Sequence, residues 1–149
     1  MHKPRMTMYK QDYLPERDKD FIDAYYNTLS HLKGKRPRYN YLCLSAIHTP
    51  AQRFYVSEEA AIKNIRRLEN GEALSLPPEA LLMYIEIHKR FCRLLAREPL
   101  TRIEAVRQVI YAPAPRFYIS VPTALRIISQ SRKHVRQHHR HTARKPAAT

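Results

Sequence analysis

Sliding the sequence 63 residues along itself lays Arg53-Phe54-Tyr55-Val56-Ser57 on Arg116-Phe117-Tyr118-Ile119-Ser120, and this self-match restricts the fold more than any other feature. It extends without a gap. Upstream, Pro50-Ala51 falls on Pro113-Ala114, Ile47 on Ile110, Leu32 on Leu95, and Phe21-Ile22-Asp23 on Tyr84-Ile85-Glu86. Downstream, Ala61 falls on Ala124, Lys63 on Arg126 and Ile65 on Ile128. The repeat thus covers about 20–68 and 83–131, with 69–77 as linker, 1–16 as an N-terminal arm and 137–149 as a tail. Two copies are too few for a solenoid, and 149 residues supply one core of ordinary size. The expectation is an all-α single domain over 17–136, built from about six helices by internal duplication, its two three-helix repeats packed face to face about a pseudo-two-fold axis.

Local signals place the helices. Phe21, Ala24, Tyr25, Leu29 and Leu32 recur at three- and four-residue spacings, as do Leu81, Ile85, His88, Cys92 and Leu95, which predicts amphipathic helices over 17–33 and 78–97. A second helix is predicted over 39–48 and 102–111, the latter opened by the capping box Thr101-Arg102-Ile103-Glu104. Prolines at 50, 113 and 115 then stop the helix, because proline lacks an amide hydrogen and forces its predecessor into extended geometry. Ser57 and Ser120 are placed to cap a third helix, over 58–68 and 121–136, with Ala61, Ile65 and Leu68, then Ala124, Ile128 and Val135, facing inward. Helix, proline turn and helix make a loose helix-turn-helix, its connection of about nine residues being longer than the usual three or four. Two glycines against eleven prolines argue against tight β-hairpins.

The segment Tyr111-Ala112-Pro113-Ala114-Pro115-Arg116-Phe117-Tyr118-Ile119-Ser120, with its echo at 49–57, resembles the tandem PAPRFY(V/I)S signature of a group of short uncharacterised bacterial proteins. The likeness covers most of residues 20–131. It implies no activity and brings no functional residues with it. Gln52 stands where the second copy has Pro115, so that proline is dispensable to the turn.

Charge is the feature that bears on function. Lys and Arg number 27 against 13 Asp and Glu, a formal net charge of +14. The last acidic residue is Glu104, so residues 105–149 carry nine Lys/Arg and no carboxylate side chain. Such a surplus favours a polyanion, and the expected function is non-enzymatic nucleic-acid binding, to DNA or RNA, mainly through backbone contacts. The clearest candidates are Arg132, Lys133, Arg136, Arg140, Arg144 and Lys145, which share one stretch with four histidines; the plain alternative is a solvated tail. Arg126 precedes them on the expected 121–136 helix, which this stretch continues.

In the repeated motif, alternation would turn Phe54, Val56, Phe117 and Ile119 inward. Arg53 and Arg116 would then be free for phosphates, and Tyr55 and Tyr118 for stacking on bases. The structural alternative has the phenylalanines plugging the core and the arginines bonding the open carbonyls of the preceding helix. Lys63, Arg66 and Arg67 form a further basic face on the first copy's third helix, and Arg36, Arg38, Tyr39 and Tyr41 interleave charge with aromatics. The first copy's third helix opens with Glu58-Glu59, which would repel phosphates, so the second copy is the expected contact.

Other classes find less support. No phosphate-binding glycine loop, nucleophile motif or paired carboxylates suggest an enzyme, and no cofactor is expected. His134 and His138 lie one helical turn apart, but no carboxylate or thiolate nearby completes a tetrahedral metal set, so no metal is expected. Cys43 and Cys92 sit in apolar helical patterns and read as buried free thiols in a reducing cytoplasm. Neither a signal peptide's apolar run nor a membrane-length stretch occurs. The rival function is an adaptor or accessory subunit in a larger nucleoprotein complex.

Overall fold

The computed structural model describes residues 13–32 and 37–147, with side chains through His134. Among the described residues there are six helices and no strand: α1 (Tyr13–Ser30), α2 (Tyr39–Ile47), α3 (Glu58–Glu69), α4 (Pro78–Arg97), α5 (Arg102–Ile110) and α6 (Val121–Ala147). Each boundary has a local cause. Ser57 Oγ accepts from the Ala60 amide at 3.1 Å and opens α3, while Ser120 Oγ accepts from Thr123 at 3.2 Å and opens α6. Pro78 occupies the first turn of α4, where a missing amide hydrogen is harmless. Both halves of the Thr101–Glu104 capping box form at α5. Helix α3 ends on Gly71 at φ 76°, with Gly71 N–H bonding Leu68 O and Glu72 N–H bonding Arg67 O, both at 3.0 Å. That double closure needs a left-handed residue, which glycine supplies at least cost.

The helices do not pack in the order of the chain. Helix α1 packs on α2, and α4 on α5, but α3 packs on α4 and α5 while α6 packs on α1 and α2. Each half of the chain therefore lends its third helix to the other half. Helices α2 and α3, which flank the first proline turn, do not pack on each other among the described residues. That differs from the helix-turn-helix expectation, in which the two helices form one packed unit.

The halves cross at the motif, where main-chain contacts recur 63 positions apart. Ala51 and Ala114 exchange two N–H···O bonds of 3.0 Å across an isolated antiparallel bridge. The Phe54 amide donates to Ile110 O at 3.0 Å, and the Phe117 amide to Ile47 O at 2.8 Å. The carbonyls left open where α5 and α2 end are thus satisfied by the opposite half's backbone, not by the motif arginines. Phe54 stacks on Tyr118, with centroids 6.0 Å apart, and Phe117 on Tyr55 at 5.9 Å. Phe21, Ile47, Phe54, Ala61, Ile65, Ile110, Phe117, Ala124 and Ile128 lie in one buried core around this crossing.

Three expectations are corrected. On α4 the buried residues are Met83, Tyr84, Ile87 and Phe91, whereas Ile85 is 50% exposed and Cys92 is exposed; the inward stripe is rotated from the one that the spacing suggested. Cys43 is buried as expected, and burial raises its thiol pKa. Helix α1 begins at Tyr13, inside the stretch expected to be an arm, and α6 runs to Ala147, beyond the expected helix end at 136 and into the stretch expected to be a tail. No described helix is long and apolar enough to cross a membrane.

Candidate nucleic-acid interface

The motif residues split between the two halves in what they can offer a ligand. Arg53 is absorbed by the fold. Its Nε donates to Phe54 O at 3.1 Å and its Nη2 to Val56 O at 3.0 Å, its Nη1 pairs with Glu16 at 3.3 Å, and its Cζ lies 4.4 Å from the Tyr111 ring centroid. Tyr55, expected to point outward, is buried, and its hydroxyl donates to Asp20 at 2.5 Å. Desolvation first, then that bond, drives its pKa well above the usual tyrosine value, so the ring stays neutral and sealed. Alternation fails here because Phe54, Tyr55 and Val56 are all buried between the halves.

The second copy is more open. Arg116 Nε donates to Phe117 O at 3.1 Å and its Cζ lies 5.2 Å from the Tyr118 centroid, with no carboxylate partner among the described residues. Tyr118 is half-buried, with Phe54 stacked on it and Arg116 over it. Phe54 and Arg116 both pack on the Tyr118 ring, and of the two motif arginines Arg116 is the one without a carboxylate partner among the described residues.

On α3, Lys63, Arg66 and Arg67 are all exposed, and Arg67 pairs with Glu72 at 3.5 Å. Glu58 in the same helix does not stand as a bare repelling charge. Arg107 Nε donates to it at 2.7 Å and Tyr111 Oη at 3.0 Å, and the Arg107 bond above all holds its carboxyl below the ordinary range.

Helix α6 carries the remaining candidates. Arg126, Arg132 and Lys133 are exposed, and none has a carboxylate partner among the described residues. Arg132 is held in place by aromatic groups: its Nη2 donates to Tyr25 Oη at 3.1 Å, and its Cζ lies 4.7 Å from the Tyr39 centroid. Tyr39, Leu125, Ser129, Arg132 and Lys133 line a groove of about 350 Å³ between α2 and α6. The side chains of Arg136, Arg140, Arg144 and Lys145 lie outside the described ones, as do those of His138, His139 and His141; His134 is exposed. Among the described residues no group of three or more His, Cys, Asp or Glu could hold a metal.

Sequence reasoning missed a second basic row on α4. Lys89, Arg93 and Arg97 are exposed at four-residue intervals, and Arg90, Arg93, Arg97 and Gln108 border a groove of about 260 Å³ between α4 and α5. The 89–97 spacing was the available signal, hidden by the apolar residues between. Arg90 itself is structural, bonding Glu86 at 2.9 Å and Pro113 O at 2.8 Å and lying over Phe54 at 5.1 Å. Comparison of the chain with family models, curated proteins and solved structures finds no match.

Proposed function

We propose that this is a non-enzymatic nucleic-acid-binding protein that neutralises phosphates along α6, with the Tyr39–Arg132 groove as its point of contact beyond the backbone. One observation carries the reading: among the described residues no carboxylate pairs with Arg132 or Lys133, which stand beside an aromatic ring on a helix of 27 residues that contains no Asp or Glu. Packing of Arg132 on Tyr39 and Tyr25 fixes the guanidinium before a ligand arrives, which lowers the ordering cost of binding. Positions 126, 133 and 140 recur every seven residues along a helical backbone, which sets these three near one face of α6. We read the 63-residue correspondences as an internal duplication whose second copy, with no Asp or Glu on its third helix, carries the binding role. A reducing cytoplasm suits the free thiols.

The test is a fluorescence anisotropy titration on labelled duplex and single-stranded 20-mers across a salt series. With roughly five phosphates engaged, log Kd should change with log salt at a slope of magnitude about 4 to 5 on duplex DNA. R132A/K133A should reduce that magnitude by about 2. A flat salt response defeats the proposal. Removing residues 132–149 separates it from the adaptor reading, because nucleic-acid binding is then lost whereas docking onto an acidic protein partner would survive.

A further inference from the structure

The two halves present corresponding grooves beside their borrowed helices, and they differ in chemistry. In the α3–α5 groove, of about 290 Å³, Ile62, Ile65, Phe91, Ile103 and Val106 form the lining and Arg66 stands at the edge. The positions 63 residues away from Arg66, Phe91, Ile103 and Val106 are Ser129, Thr28, Asn40 and Cys43. Ile62 and Ile65 correspond to the apolar Leu125 and Ile128, so the difference between the grooves lies at Arg66, Phe91, Ile103 and Val106. Ile103 is 50% exposed, so about half of its apolar surface gains nothing from folding and is open to a ligand.

The polar groups around this groove are accounted for, with one exception. The Thr101 hydroxyl and Glu104 serve the capping box. Arg102 is paired with Glu69 and lies over Phe91, its Cζ 5.2 Å from the centroid. Only Arg66 lacks a partner among the described residues, and it is exposed on α3 beside the apolar floor. One unengaged guanidinium above five apolar side chains is complementary to a small molecule with a hydrocarbon or aryl body and a single anionic head. The volume suits a body on the order of ten heavy atoms, at about 30 Å³ for each water displaced.

We propose that the α3–α5 groove is a binding site for a small amphipathic anion of the monocarboxylate class. It is separate from α6 and stands or falls independently of nucleic-acid binding. The test uses decanoate, with decanol as a neutral match, added to the full-length protein carrying 13C-labelled Ile and Val methyls. Decanoate should shift the methyls of Ile62, Ile103 and Val106 in a saturable manner and bind about tenfold more tightly than decanol, the size expected of one charge-assisted hydrogen bond. R66A should reduce that ratio to about one while the methyls still respond. I103D, at an exposed position, should weaken both ligands. Shifts confined to the Tyr39 groove or spread over the basic helices would overturn the proposal. So would saturable binding with an unchanged decanoate-to-decanol ratio in R66A.

Discussion

Phe117 belongs to the second half of the chain, yet its contacts lie in the first, and this makes F117A the most informative stability test. The side chain is 2% exposed, meets Phe21 edge-on with centroids 5.4 Å apart, and stacks on Tyr55 at 5.9 Å. Truncating a buried Phe to Ala costs about 3–5 kcal/mol from lost transfer and the residual cavity. Two aromatic pairings, each contributing roughly 0.5–1.5 kcal/mol beyond area, put this site at the upper end. Against a domain stability of about 5–15 kcal/mol, the loss is a large share, and at about 2–4 °C per kcal/mol it lowers Tm by about 10–15 °C. The assay is urea unfolding followed by far-UV circular dichroism, with hydrogen exchange read peptide by peptide. Because the ring fills the crossing, protection should fall as much in α1 as at the start of α6, through one cooperative transition. A loss confined to peptides around 117–134, with α1 unchanged, refutes the interlocked account.

Three further expectations follow from the same geometry. Expressed apart, residues 1–72 and 73–149 should each give a poorly folded chain, because neither retains the two helices that its third helix packs on; mixed, they should recover the helical signal as a 1:1 complex, and two independently folded pieces would contradict the packing. S57A removes the acceptor for the Ala60 amide and should cost about 1 kcal/mol, read as a small drop in urea midpoint with an unchanged slope. In alkali, burial first and then the Asp20 bond raise the folded-state pKa of Tyr55 above its ordinary 10, so stability is full below about pH 10 and declines as pH rises further. Tyrosinate absorbance at 295 nm should therefore complete only as the helices melt, and complete titration of a still-folded protein near pH 10 would show that no ring is sealed.

The sequence revealed elements and correspondences more readily than partners. Proline stops at 50 and 113 and serine caps at 57 and 120 are local signals, because each acts on backbone groups within a few residues, and helix bounds near them agree with expectation. The 63-residue self-match lays Ala51 on Ala114, and these two residues meet each other across the bridge. What it could not express is that α3 and α6 change places, since an amphipathic stripe records a buried face without recording which helix covers it. On α4 the apolar residues 81–85 and 87 leave more than one stripe consistent with helical spacing, and tertiary packing chose Tyr84, Ile87 and Phe91. Tyr55 was misplaced because strand-like alternation presumes one wet face, whereas the crossing segment is covered by both halves. Of the interface, the charge of α6 was plain in composition, while the anchoring of Arg132 on Tyr25 and Tyr39 joins residues about a hundred positions apart and has no local signature.

The exchanged helices also order events during synthesis. When α3 leaves the ribosome its partners α4 and α5 have yet to be made, and the apolar side of α1 and α2 must wait for α6 before it is closed off. Ile65 and Ala61 thus spend that interval with no native surface to meet, so the nascent chain carries exposed hydrophobic groups until α6 has emerged. A stop codon early in α6 would accordingly leave an N-terminal part that is fully translated but unable to mature, and chaperone capture or proteolysis of that product should be far greater than its missing length suggests.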